Sequence, residues 1–127
     1  MNQNIQLSEI RSFLLNASAK SLATNGPEGL NVVPVSTIKI TDNNQIILVD
    51  YFFGKTRSNL QNSTTSSLVA WQDTIGFQIK SHHQYQTSGT IFDTVSQWVQ
   101  QNFPERTVHG IVVLEPQAIF DISLPEN

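Results

Sequence analysis

The 127-residue sequence contains no cysteine. It therefore has no disulfide bonds, no thiolate metal ligands and no thiol nucleophile. This is compatible with a reducing compartment, and we expect a cytoplasmic protein. Residues 1–8 lack the basic segment and apolar core of a signal peptide. The longest aliphatic runs, Ile46–Val49 and Ile111–Leu114, are far too short to cross a bilayer as helices.

Charged side chains are also scarce, at 13% of the sequence. The seven Lys and Arg residues are scattered, and the net charge is -3. Binding to nucleic acid or to an anionic membrane normally requires a basic patch, so the composition argues against both partners. A weakly charged surface does little to repel a second copy of the chain and is compatible with a homodimer.

A phosphate-binding loop of the nucleotide hydrolase type is incomplete. Gly54, Lys55 and Thr56 match the end of that motif, which also needs a glycine five positions before Gly54. Val49 occupies that position. A β-branched residue in a strand cannot wrap backbone amides around a triphosphate, so the sequence argues against an ATPase or GTPase.

The segment Ile46–Asn62 is the most informative part of the sequence. It begins as an apolar run typical of a buried strand, which Gly54 ends before a short predicted helix. The free N–H groups at a helix start, the positive end of the helix dipole and the Lys55 side chain suit a phosphate. Thr56 can add a hydroxyl and Asn59 an amide. Alternatively, these residues only turn the chain and cap the helix, with Lys55 in solvent.

Two further helices are predicted from apolar residues that recur on one helical face. Ser8 can cap the first, whose apolar face is formed by Ile10, Phe13, Leu14 and Ala17. The other follows Gly89 and ends at Pro104, and its apolar stripe consists of Phe92, Val95, Trp98 and Val99.

Seven segments have the composition of strands: Lys20–Asn25, Leu30–Ile40, the run from Ile46, Ser67–Trp71, Ile75–Thr87, Val108–Leu114 and Gln117–Ile122. Short turns join most of them, which favours antiparallel pairing. We therefore predict one mainly β (α+β) domain over residues 1–127, a closed or partly closed β-barrel with two or three peripheral helices. Pro34 lies inside a predicted strand and marks an edge, a bulge or a place where a ligand lies alongside.

Protein side chains with an evident catalytic arrangement are lacking. His82 and His83 are adjacent on a predicted strand and point to opposite faces, while His109 is distant, so we predict no metal chelate. No serine lies in a nucleophile elbow. Asp50 interrupts an apolar strand, where it either binds a ligand or points outward. This pattern suits a protein whose chemistry belongs to a bound cofactor.

Several segments, in this order, resemble the pyridoxamine 5'-phosphate oxidase-like, FMN-binding split-barrel family: Ser21–Thr24, Asn31–Ser36, Leu48–Asp50, Gly54–Thr56 with Asn59–Leu60, and Gly76–Lys80. Later segments resemble its branch of small FMN-binding proteins: Tyr85–Gly89, Ile91–Asp93 and Gly110–Val113. The resemblance covers nearly the whole chain, and it depends on the order and spacing of the segments.

The resemblance implies a six-stranded antiparallel split β-barrel and a homodimer with two FMN molecules at its interface. It assigns the FMN phosphate to Lys55, Thr56 and Asn59. It assigns the isoalloxazine ring to the backbone of Val33, Pro34 and Val35, with Asp50 and Tyr51 lining the same pocket. Pro34 then lies where the flavin occupies the space of a partner strand. Trp71 and Gln78 are implied to contact the flavin of the other subunit.

Two features depart from the family pattern. A small residue usually follows the segment Gly76–Lys80, whereas here Ser81-His82-His83 follows. These residues either narrow the flavin site or only add side chains beside it. True pyridoxamine-phosphate oxidases also have an arginine-rich site for the substrate phosphate. This sequence has only Arg11, Arg57 and Arg106, and we expect just one of them near the pocket. Vitamin B6 oxidation is therefore not expected.

The sequence thus predicts an FMN-binding flavoprotein, a small oxidoreductase or flavin reductase whose substrate and electron donor are not specified. One alternative is a flavin carrier or electron-transfer protein without catalysis. Another is a dimeric barrel that has lost its cofactor. Haem-handling proteins share the same barrel, and one of the three histidines could serve as an axial ligand, since one can suffice.

Overall fold

A computed structural model describes residues 5–125 of the chain. Residues 1–4 and 126–127 of the predicted domain lie outside this range. The helices are α1 (Leu7–Asn16), α2 (Lys55–Gln61) and α3 (Thr90–Asn102). The strands are β1 (Ala19–Thr24), β2 (Asn31–Pro34), β3 (Ile38–Ile40), β4 (Ile46–Asp50), β5 (Thr65–Gln72), β6 (Ile75–Gln86) and β7 (Gly110–Asp121). None of the helices within residues 5–125 has the length and apolar character needed to span a membrane.

The strands form one antiparallel sheet in the order β2-β1-β5-β6-β7-β4-β3. β2 and β3 occupy its two edges, yet only residues 35–37 separate them in the chain. A flat sheet of this size would be about 29 Å wide at a strand spacing of roughly 4.8 Å. The four Cα steps from Pro34 to Ile38 span at most about 14 Å. The sheet must therefore curl into an open barrel whose edges meet at this link.

The sheet has seven strands, not the six that the family resemblance implied. The predicted strand over residues 30–40 is divided, because its first part pairs with β1 and its second part pairs with β4. Residues 35–37 carry the chain from one edge of the sheet to the other. β2 and β3 together take the place of one strand of a six-stranded barrel.

β7 is one continuous strand, whereas the sequence predicted two strands divided at Glu115-Pro116. Opposite it on β6, Ser81 pairs with Pro116 and Lys80 pairs with Ala118, so Gln117 is an extra residue on β7. Such a bulge tolerates a proline, which cannot donate a ladder hydrogen bond. The division predicted at this point is wrong because the bulge keeps the strand intact.

Two buried clusters explain why every residue of β4 is buried. Ile46 and Leu48 point into the barrel, where α1 contributes Leu14 to the same cluster. The alternate residues Ile47 and Val49 point outward and pack under α3. This confirms the prediction of a buried strand at Ile46 and of an apolar stripe on α3.

The helix starts are only partly as predicted. α1 begins at Leu7, so Ser8 lies within the helix and does not cap it. Instead, the Glu9 carboxylate accepts a hydrogen bond from the backbone N–H of Gln6 (2.6 Å). A carboxylate in the first turn satisfies a free donor and opposes the positive end of the helix dipole.

The outer side of half the sheet carries no packed helix among the described residues. Leu22 of β1, Leu68 of β5 and Ile79 of β6 are paired across the sheet, and their buried side chains point into the barrel. The residues before and after each of them therefore point outward. We call this outward surface the bare face, and it comprises Ser21, Ala23, Val32, Pro34, Ser67, Val69, Trp71, Gln78 and Lys80. Val32 is 64% exposed and Trp71 is 41% exposed. A sheet face with exposed apolar residues is typical of a surface that binds a partner.

Candidate functional site

The turn between β4 and α2 is held in one conformation by a buried carboxylate. Gly54 is the N-cap residue of α2 and has φ +57° and ψ −123°, a backbone conformation that residues with a Cβ rarely adopt. Oδ1 of Asp50 accepts a hydrogen bond from the backbone N–H of Phe53 (2.8 Å). Lys55, the first residue of α2, is therefore presented from a fixed turn, and its side chain is exposed.

Asp50 is fully buried and does not point outward. Its Oδ2 accepts hydrogen bonds from Nε of Arg57 (2.7 Å) and from the hydroxyl of Tyr85 (2.6 Å). The hydrogen bond to Asp50 raises the pKa of Arg57. Burial, followed by the hydrogen bond to Asp50, raises the pKa of Tyr85 far above 10. Asp50 therefore organises the turn from inside, and its predicted contact with the flavin stays a prediction.

Asn59 is also fully buried, and its amide joins α2 to the loop between β1 and β2. Its Nδ2 donates to the carbonyl oxygen of Gly29 (2.8 Å) and to Oγ1 of Thr24 (3.2 Å). Its Oδ1 accepts from the backbone N–H of Glu28 (3.0 Å). The loop passes so close that a Cβ on Gly26 would lie 2.8 Å from Oδ1 of Asn59.

Thr56 makes the second connection between α2 and this part of the chain. It is fully buried, and its Oγ1 accepts a hydrogen bond from Nδ2 of Asn31 (2.8 Å), the first residue of β2. The polar groups of Thr56 and Asn59 that the sequence assigned to a phosphate thus hold α2 against the loop and β2. Their direct contact with a phosphate stays a prediction.

β2 offers free backbone groups along its outer edge. The N–H of Val35 donates to the carbonyl of Lys20 (2.9 Å), and hydrogen-bonded residues alternate along an antiparallel pair. The backbone of Val33 therefore faces β1, while the backbone groups of Val32 and Pro34 face the open edge. Pro34 fits there because its missing N–H is not needed by β1.

The structure brings the predicted residues into one region but not onto one surface. Lys55 and Pro34 are exposed, whereas Val33 and Tyr51 are partly buried. The hydroxyls of Tyr51 and Thr37 are hydrogen-bonded (2.8 Å). The remaining four predicted residues are buried: Val35, Asp50, Thr56 and Asn59.

One cleft was not predicted from the sequence. It encloses about 400 Å³ beside the loop that Asn59 holds, and none of the eight predicted cofactor residues lines it. Its lining combines Leu30, Ala23, Ser67, Lys80 and His82. These residues come from four separate segments, so only the sheet register could have placed them together.

His82 and His83 lie on opposite sides of β6, as predicted: His82 is exposed and His83 is buried. Nε2 of His83 lies 3.1 Å from the carbonyl oxygen of Leu60, and Nδ1 lies 3.0 Å from Oγ of Ser66. Because a carbonyl only accepts, Nε2 carries the proton and Nδ1 accepts from the hydroxyl. His83 thereby satisfies a carbonyl at the end of α2. Within the described residues, no group of three histidine or carboxylate side chains could hold a metal ion.

Two arginines, not one, lie beside the predicted cofactor residues. Arg57 binds Asp50, and Arg106 lies in the segment between α3 and β7. The guanidinium carbon of Arg106 is 5.0 Å from the centre of the Tyr51 ring. The sequence did not place Arg106 here, because it is 55 residues from Tyr51 along the chain.

Solved structures with the same fold were found, although no protein-family model and no curated protein matches the sequence. HupZ of Group A Streptococcus is 17% identical, with a TM-score of 0.81 over 94% of this chain and 95% of HupZ. An FMN-binding protein of Syntrophomonas wolfei is 16% identical, with a TM-score of 0.71 over 94% and 93%. HutZ, the heme storage protein of Vibrio cholerae, is 15% identical, with a TM-score of 0.66 over 95% of each chain.

Further matches include proteins named as candidate pyridoxamine 5'-phosphate oxidases. The chain therefore has the fold of the pyridoxamine 5'-phosphate oxidase-like split-barrel proteins, which confirms the resemblance seen in the sequence. At these identities the matches establish the fold alone. One neighbour is named as an FMN-binding protein and another as a heme storage protein, so the matches do not identify a ligand for this chain.

The buried amide of Asn59 predicts a large stability difference between two asparagines of one segment. Asn59→Ala removes a fully buried amide together with its hydrogen bonds to the buried Thr24 hydroxyl and to the Glu28 N–H and Gly29 carbonyl of the loop, and we expect it to lower the free energy of unfolding by about 3 kcal/mol. Asn62→Ala removes only an exposed hydrogen bond to the Ser58 carbonyl and serves as the control, with an expected cost below about 1 kcal/mol. Urea denaturation measures both, and equal costs would contradict the assigned role of Asn59.

Burial lowers the pKa of His83 below its usual value of 6.5. The unfolded chain therefore takes up a proton at about pH 6.5 that the folded chain resists. We expect the free energy of unfolding to fall as the pH is lowered from about 7 through 6.5 until the lower pKa of the folded state is reached. Thermal melts from pH 8 to pH 5 measure this decline.

His83→Gln should flatten that decline, whereas His82→Gln removes only the smallest contribution to the lowered His83 pKa and should change the decline little. The charged or titratable side chains beside His83 in the same small cavity are His82 and Glu115. If the melting temperatures of wild type and His83→Gln fall equally as the pH is lowered, another group carries the pH dependence.

Proposed function

We propose that this protein binds FMN, with the phosphate at Lys55 and the ring along the open edge of β2. The observation that carries the proposal is the position of Lys55. It is an exposed cation on a turn fixed by Asp50, and the next residue of α2 is tied to β2 by the Asn31–Thr56 hydrogen bond. A phosphate anchor and a free strand edge are thereby held next to each other.

The residues present fit the two ends of FMN. Lys55 provides a charge-assisted hydrogen bond to a phosphate, and Thr56 and Asn59 hold the helix that carries it. Val32 offers an N–H and a carbonyl on the strand edge, and Pro34 offers a carbonyl, which suits the alternating donors and acceptors of the ring. Val33, Val35 and Tyr51 belong to the proposed pocket wall, and Asp50 sets the turn. When bound, the flavin would supply hydride or electron transfer.

We further propose a homodimer that closes the flavin site with a second copy of the chain. The proposed FMN residues that reach the surface, Pro34 and Lys55, are open to solvent in one subunit. Pro34 also belongs to the bare face, which continues to Val32 and Trp71. A partner on this face would cover apolar side chains that are otherwise exposed, and Trp71 and Gln78 of each subunit would then lie at the interface.

An oxidoreductase or flavin reductase is the proposed activity, because no side chain in this region forms a catalytic pair that would work without a cofactor. Vitamin B6 oxidation is not proposed. A flavin carrier without turnover is the alternative. Mixing the FMN-loaded protein with reduced pyridine nucleotide separates the two, since only a reductase bleaches the flavin absorbance.

Haem is the second candidate ligand, and the exposure of two histidines favours it. His82 lines the cleft of about 400 Å³ together with Leu30 and Ala23, so an imidazole stands beside a partly apolar space. His109 is also exposed. His83 is unsuited, because both its ring nitrogens have partners inside the protein. A Soret band after incubation with hemin, lost in His82→Ala or His109→Ala, would support this alternative.

Lys55→Ala should weaken FMN binding by about tenfold or more, since one charge-assisted hydrogen bond is worth at least about 1.5 kcal/mol. Quenching of flavin fluorescence during titration with protein measures the dissociation constant. Lys39→Ala is the control, because Lys39 lies over the Trp98 ring of α3. A protein that takes up no FMN would refute the proposed function, and unchanged affinity in Lys55→Ala would refute the anchor.

The dimer proposal predicts that a charge introduced at the centre of the bare face produces monomers. Val69 lies in the middle of β5 on this face and is partly buried, so Val69→Lys would place an ammonium group in the interface. Sedimentation velocity should change from a mass near twice 14.2 kDa to one near 14.2 kDa. Leu15→Lys, on an exposed position of α1, is the control. A monomeric wild-type protein would contradict the proposal.

A further inference from the structure

Three residues with nitrogen-bearing side chains come from separate parts of the chain to the end of β4. Lys55 opens α2, Arg106 follows α3, and His109 precedes β7; all three are exposed. The Arg106 guanidinium lies over the Tyr51 ring (5.0 Å). The backbone N–H of His109 donates to the carbonyl of Asp50 (2.9 Å). We call Lys55, Arg106 and His109 the β4-end cluster.

No carboxylate in residues 5–125 forms a salt bridge with this cluster. The salt bridge recorded there joins Arg57 to Asp50, whose oxygens also accept from Tyr85 and Phe53. Glu105 precedes Arg106 in the chain but forms no salt bridge with it within the described residues. Lys55 and Arg106 are therefore cations without a salt bridge to this part of the chain, whose net charge over its full length is -3.

The remaining basic side chains each have a contact of their own. Two donate to backbone carbonyls: Arg11 to Ile40 (3.2 Å) and Lys20 to Ala17 (2.7 Å). The other two lie over aromatic rings: Lys39 over Trp98 (3.6 Å) and Lys80 over Phe120 (5.9 Å). Like Lys39 and Lys80, Arg106 lies over aromatic rings, but it also stands at the end of β4 beside the proposed phosphate anchor Lys55.

Arg106 is oriented before any ligand arrives. Its guanidinium carbon lies 4.1 Å from the centre of the Phe103 ring as well as 5.0 Å from that of Tyr51. Stacking of this kind holds the plane of the group and leaves its N–H edge free. The free edge of a guanidinium matches the paired oxygens of a phosphate or carboxylate.

We infer that Arg106 and His109 bind the anionic group of a second ligand, a phosphate-bearing or carboxylate-bearing co-substrate that lies beside the proposed flavin. Lys55 is assigned to the phosphate of FMN, which leaves these two side chains for another anion. Calling this ligand a co-substrate rests on the proposed function, because the term presupposes a bound flavin. The anion site itself is defined by this chain's own residues and is tested separately.

The probe is inorganic pyrophosphate, titrated at constant ionic strength into FMN-loaded protein and into the protein without FMN. Nitrogen-15 NMR follows the side-chain Nε–H of each arginine. We expect a saturable shift at Arg106 in both forms and little change at Arg11. Arg106→Ala should weaken pyrophosphate binding by at least about fivefold without weakening FMN binding, whereas Arg11→Ala should leave both unchanged.

Two results would overturn the inference. One is an equal, non-saturating shift at Arg106 and Arg11, which would mean only diffuse attraction of anions. The other is loss of the pyrophosphate response once FMN is bound, together with weaker FMN binding by Arg106→Ala, which would assign Arg106 to the phosphate of the cofactor. If the protein takes up no FMN, the proposed function fails. Saturable binding at Arg106 would then still support the anion site, and its absence would refute it.

Discussion

The position of α2 depends on buried polar side chains that bond to distant parts of the chain. Asn59 joins the helix to residues 24–29, Thr56 joins it to β2, and Asp50 fixes the turn before it. The helix has only seven residues and would be marginal alone. Each of these groups would be costly to leave unpaired, so the turn, the loop and the edge of β2 are expected to loosen together if one bond is lost.

This arrangement separates residues that hold the site from residues that can touch a ligand. Lys55, Pro34 and the backbone of Val32 are free toward solvent, while Thr56 and Asn59 are occupied inside. The bare face begins at the same strand edge, at Val32. The proposed homodimer would cover the open pocket and the exposed apolar residues of the bare face at once.

Much of the fold could be predicted from local patterns. The alternation of apolar residues located the strands, and the helical stripes located α1 and α3, because burial imposes those periods directly. The division at residues 35–37 could not be read in this way, since it results from a change of pairing partner from β1 to β4. The bulge at Gln117 was missed for a similar reason: Glu115-Pro116 has the composition of a turn, and only pairing with β6 makes it part of a strand.

The candidate site was predicted at the level of segments and less well at the level of atoms. Gly54-Lys55-Thr56 marked the turn correctly, because glycine in a positive-φ turn is a local requirement. That Asn59 and Asp50 point inward depends on the Gly29 carbonyl and the Tyr85 hydroxyl, which lie 30 and 35 residues away. Arg106 reaches Tyr51 through the packing of α3, and nothing in the neighbouring sequence indicates that contact.

The proposed phosphate anchor at the fixed turn is tested most directly by comparing FMN with riboflavin, which has the same ring and lacks the phosphate. Fluorescence titration of the wild-type protein gives both dissociation constants under identical conditions. A phosphate held by Lys55 predicts that FMN binds at least about tenfold more tightly than riboflavin, and that Lys55→Ala removes most of this difference. Equal affinity for the two flavins, or no affinity for either, would contradict the proposed site.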